Sequence, residues 1–191
     1  MSLIIRSVCC VRWLGGASAG VLLSFSAAAC LTDCKISVDF TGVYTDETCT
    51  VAINNASSNE TVYLPQISID TLQNNGNEAG SVPFDITLKD CPANRTVAVF
   101  FNSSSTPADS ATGNLVNATG GTFSQNVQIR LRKENGTQVI IDNASSGQDY
   151  QISAVGEPLS HRFSASYYAN GSTAVTAGEV NAIAGVDLVY K

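Results

Sequence analysis

A chain of 191 residues is long enough for one domain with a sizeable core, and its formal net charge of −6, from 10 Lys and Arg against 16 Asp and Glu, gives it no basic footprint for nucleic acid or an anionic membrane surface. One histidine and the absence of any C-x-x-C pair among 6 cysteines count against a metal site. No phosphate-cradling glycine loop, EF-hand spacing or Gly-x-Ser-x-Gly elbow occurs.

Residues 1–29 carry Arg6 and Arg12 and no acidic residue. An apolar run over 13–25 and the small residues Ser26-Ala27-Ala28-Ala29 follow, so a cleaved secretory signal is predicted. The run is shorter than the ~20 residues of a membrane span. Removing the signal leaves 162 residues and takes the formal charge from −6 to −8. Cys9 and Cys10 leave with it, and Cys30, Cys34, Cys49 and Cys91 remain. Export to an oxidising compartment makes disulfides the default, and four cysteines permit three complete pairings, all open at this point. Ala27-Ala28-Ala29-Cys30 also passes as a permissive lipobox, with Ala27 where leucine is usual.

Along the remaining chain the dominant period is two. Ile36, Val38 and Phe40 alternate with Lys35, Ser37 and Asp39. Strands are predicted over 61–64, 83–88, 96–101, 127–131 and 161–168, each with one face on a core. Val180, Ala182, Ala184, Val186, Leu188 and Tyr190 put six apolar side chains on one face of a final strand over 180–190. Polar turn clusters separate these runs at 54–59, 74–77, 102–107 and 117–121, and Asn135-Gly136 marks a hairpin. Many short strands and no helical period predict an all-β sandwich. Arg130, Arg132 and Lys133 read as a solvated strand face. His161, alone in a strand-like run, reads as a surface or partly packed residue, and scattered carboxylates such as Asp70, Asp85, Asp90 and Asp187 assemble no catalytic set.

Four features together resemble the pilin subunits of type 1 and P-like chaperone–usher fimbriae. They are the opening 36–43, whose Gly42 lies seven residues before Cys49; Cys49-Thr50-Val51 matched by Asp90-Cys91-Pro92; the run 127–131 with its Asn135-Gly136 turn; and the ending from Tyr167-Tyr168-Ala169 through 175–182 to the penultimate Tyr190. The resemblance covers about 35–191. It implies an incomplete immunoglobulin-like β-sandwich completed by a donor strand, with a signal over 1–29, an N-terminal extension over 30–45 and a pilin domain over 46–191. It further implies a Cys49–Cys91 disulfide, a donor strand carrying Ile36, Val38, Phe40 and Gly42, and a groove strand for the chaperone carrying Gly178, Val180, Val186, Leu188 and Tyr190. The implied partners are a periplasmic chaperone, an outer-membrane usher and neighbouring fimbrial subunits, with no nucleic acid, cofactor, metal or enzymatic activity. The implied location is a fimbrium on the bacterial surface, reached through the periplasm. Cys30 and Cys34 depart from the one-disulfide pattern of the family. The alternatives are a lipidated or secreted surface β-sandwich that binds a ligand, and a fimbrial adhesin.

Overall fold

The computed structural model describes residues 48–191. The predicted signal and extension, with Cys30, Cys34, Ile36, Val38, Phe40 and Gly42, lie outside the described residues. Ten strands form in chain order: β1 (Thr50–Ile53), β2 (Glu78–Lys89), β3 (Thr96–Asn102), β4 (Ala108–Asp109), β5 (Asn114–Val116), β6 (Val127–Lys133), β7 (Gln138–Val139), β8 (Gln148–Gln151), β9 (Leu159–Ala169) and β10 (Gly185–Tyr190). A larger antiparallel sheet runs β1-β2-β9-β6-β5-β4, with β7 also paired to β6, and a smaller one runs β10-β3-β8.

The sheets meet through the alternation read in the sequence. Phe84 of β2 and Phe163 of β9 stack at 5.7 Å between ring centroids, and Phe101 of β3 meets both edge-on, at 6.2 and 5.4 Å. Burying such a ring contributes roughly 1.5–3 kcal/mol. Tyr150 of β8 is fully buried, and its hydroxyl donates to the Ile86 carbonyl of the larger sheet at 2.9 Å. That bond satisfies a polar group that would otherwise cost about 1–3 kcal/mol to bury. His161 packs edge-on against the Tyr150 ring at 4.5 Å and is partly buried. Cys49, just before β1, is bonded to Cys91, two residues beyond β2.

The Asn135-Gly136 hairpin forms between β6 and β7, with Gly136 alone at positive φ, +81°. Gly136 N–H donates to Lys133 O and Lys133 N–H to Thr137 O, each at 2.9 Å. A type I turn closed by a glycine bulge therefore joins the strands.

The expectation of a solvated Arg130 and Arg132 is corrected. Arg130 lies 3.6 Å from the centroid of the Tyr168 ring, and its side chain is only 13% exposed. Arg132 forks onto Glu78, with Nε to Oε1 at 2.9 Å and a second nitrogen to Oε2 at 2.6 Å. Neighbours from β9 and β2 cover what a single strand's sequence presents as free. Beside them, Asn114 and Gln128 are buried and interlocked. The Asn114 amide donates to Gln128 Oε1 at 2.9 Å, and the Gln128 amide donates to Asp109 at 2.7 Å.

Candidate functional site

The final apolar run sits in place as an alternating face, but only Gly185–Tyr190 forms a ladder. Paired β3 ends at Asn102, opposite Gly185. Residues before Gly185 instead bond to loops: Asn181 N–H to Asn117 Oδ1 and Ile183 N–H to Thr106 Oγ1, both at 2.8 Å. The expected strand over 61–64 is likewise extended without a partner. Val62 and Leu64 turn inward, Tyr63 is 84% exposed, and among the described residues 61–67 make no backbone–backbone hydrogen bond.

Between these two segments lies an open groove of about 580 Å³. Val62 and Leu64 line one lip, and Val180, Ala182, Ala184 and Val186 the other. Its floor is the sandwich core itself, including Phe84, Phe101 and Leu131. A second concavity of about 570 Å³ continues it past Tyr167 and Val180, towards Ile67, Leu72 and Val175.

The backbone matches the apolar lining. β10 is the terminal strand of its sheet, paired on one side only. Lys191 N–H donates to Thr96 O, which sets the phase of the ladder. Counting back, residues 189, 187 and 185 face β3, while Val186, Leu188 and Tyr190 aim their amides and carbonyls away from it. Val186 and Leu188 are also the β10 residues that pack on the core. One edge therefore offers unpaired backbone and an apolar face together, the two requirements of an added strand.

Gly178 lies where the chain presses on the 122–125 segment. A Cβ there would stand 2.5 Å from Ser124 N and 2.7 Å from the Phe123 carbonyl carbon, closer than any side chain tolerates. The contact is sealed by Glu179 N–H to Thr122 O and Ser124 N–H to Glu179 O, both at 2.9 Å. At the other end, Cys49 N–H donates to the Tyr190 hydroxyl at 2.7 Å. Of the residues expected on this strand, Val180 and Val186 line the groove and Gly178 lines the second concavity, whereas Leu188 packs on the core further along β10 and Tyr190 reaches Cys49, both outside the groove lining. Sequence reasoning missed the opposite lip and the phenylalanine floor, which depend on contacts between distant segments. Among the described residues no group of His, Cys, Asp and Glu is placed to hold a metal.

An immunoglobulin-like β-sandwich with one edge and part of its core left open is a fold that accepts a strand. The chain belongs to the fimbrial protein family, whose model matches residues 38–191. It is 34% identical to the F17 fimbrial protein of Escherichia coli, over 90% of this chain and 96% of that one. It is 33% identical to the major fimbrial subunit SMF-1 of Stenotrophomonas maltophilia, over 81% and 91%. The P pilus rod subunit PapA shares the fold with a TM-score of 0.57 at 20% identity, over 75% of this chain and 99% of that one. A chaperone–usher pilus structure shares it at 0.56 and 20%, over 86% and 100%. This chain is a structural subunit of a fimbria, assembled with neighbouring subunits into a cell-surface pilus.

Proposed function

We propose that in the fibre the groove is filled by residues 35–43 of a neighbouring copy. Ile36, Val38 and Phe40 enter it as one face of a strand, and Gly42 allows close backbone approach. Residues 30–45 are then the extension and 46–191 the domain. The observation that carries the reading is the coincidence on β10 of an unpaired backbone edge with an inward apolar face. A groove and a donor on one chain make a head-to-tail interface that need not close, which builds filaments.

Before assembly the same edge needs a temporary strand. Each buried, unpaired backbone group costs about 1–3 kcal/mol. In this reading a periplasmic chaperone supplies that strand against Val180, Val186, Leu188 and Tyr190, and an outer-membrane usher exchanges it for the next donor. The role is structural and requires no catalytic group.

Deletion of residues 35–40 tests it. The shortened subunit is expected to be captured by its chaperone and to fail in joining another subunit. Loss of capture and folding together would assign the segment to the subunit's own core and end the reading.

A further inference from the structure

We infer that the Cys49–Cys91 disulfide is a tension bypass, carrying load around β1 so that the groove's 61–67 lip is not stripped away. The inference rests on the reading above: if residues 35–43 are held by a neighbour, pull reaches each domain through the chain just before Cys49. The first described ladder that this pull meets is β1. It has four residues, paired to β2 from Thr50↔Lys89 to Ile53↔Ile86. Loaded at Thr50, so short a ladder opens from that end pair by pair.

Beyond β1 the chain runs into the lip itself. Ile53, Val62 and Leu64 line the groove, and 61–67 make no backbone–backbone hydrogen bond among the described residues. Once β1 parts from β2, this lip is held only by side-chain packing and by the Tyr167 hydroxyl, which donates to Pro65 O at 3.2 Å. Its loss uncovers the next donor and breaks the fibre.

The bridge stands at the loaded end. Cys49 immediately precedes Thr50, and Cys91 follows Lys89 by two residues, so the mouth of the β1–β2 ladder is covalently shut. Load passing through the sulfurs leaves at Cys91, five residues before β3. β3 is paired to β10 through six residue pairs and to β8 through four. β10 borders the groove that holds the next donor. Tension therefore runs from tether to donor through the smaller sheet and leaves β1 and its lip slack. The Cys49–Tyr190 hydrogen bond lies at the same junction.

Fimbriae assembled from wild type, from Cys49→Ser/Cys91→Ser and from Phe163→Leu are held at constant force, and their dissociation in denaturant is measured without load. Phe163→Leu weakens the buried core and leaves the bridge in place. Rupture under load is governed by an opening rate, so a bypass acts on lifetime and not only on equilibrium stability. Relative to its unloaded loss, the serine fibre is expected to part under load about tenfold sooner than the Phe163→Leu fibre. Equal loaded lifetimes after that correction overturn the inference. If the serine chain does not assemble, wild-type fibres that are reduced and alkylated after assembly, with the mass shift verified, give the same two outcomes. Normal fibres from Phe40→Asp chains would remove the donor reading, and this inference with it.

Discussion

The Cys49 amide and the Tyr190 hydroxyl, 141 positions apart, meet at 2.7 Å and tie the approach to β1 to the end of β10. Tyr190→Phe removes one oxygen and leaves the Cys49 N–H without this acceptor. It is expected to cost about 1 kcal/mol, seen in urea-induced dissociation of fibres. Tyr190→Ala also removes the ring and is expected to lower the subunit's periplasmic level. Unchanged immunoblot levels and chaperone capture in the alanine variant would count against this role.

Phe40→Asp puts a carboxylate where an apolar groove is to be filled. An unpaired charge in such a place is costly enough to prevent insertion. Chaperone-bound subunit is expected at normal yield and polymer at none, as read by electron microscopy and size-exclusion chromatography.

The bridge closes a loop with a sequence separation of 42 residues. The chain-entropy model gives its removal a cost of about 4 kcal/mol. Cys49→Ser/Cys91→Ser should shift the unfolding midpoint of the chaperone-released, donor-complemented subunit accordingly. A shift under a quarter of that size would mean that the unbridged chain is already constrained.

Glu78 sets a pH dependence. Hydrogen bonds from Arg132 are the largest influence holding its carboxyl below the ordinary value near 4.5, with Ser166 and the charges of Arg132 and Arg130 acting the same way against partial burial. A depressed folded pKa means that the contribution is fully present above the unfolded pKa and is lost as pH falls through the folded one. Partial exposure screens the pair, so Glu78→Gln is expected to cost about 1 kcal/mol at pH 7. Below about pH 4 the gap from wild type should narrow. Urea midpoints at both pH values check this, and a gap of constant size would reject the ion pair as its source.

Gly178→Ala forces a Cβ against the Ser124 amide and the Phe123 carbonyl carbon. Overpacking of this kind costs about 1–3 kcal/mol. Amide exchange should quicken first at Ser124 and Glu179, whose N–H groups donate across this contact.

The strands legible in the sequence were those with one face in the core: most of β2, and β3, β6, β9 and β10. β4, β5, β7 and β8 are two to four residues long, too short to display an alternation. The runs 61–64 and 180–184 depart in the other direction. Their alternation correctly reported which side chains turn inward, but periodicity says nothing of whether the backbone has a partner. At both runs it has no ladder partner, and the groove lies between them. Arg130 was misread for a related reason: its cover, Tyr168, comes from another strand.

The outer face of the larger sheet bears on how such molecules behave in a crowd. Gln128 joins Asn114 to Asp109, the Arg162 guanidinium meets Asp85 at 2.9 Å, and among the described residues no buried side-chain nitrogen or oxygen lacks a partner. A surface whose valences are already spent on itself gives a stranger little to grasp. On this face a newcomer would have to break an existing bond for each one it made with these groups, an exchange that gains little.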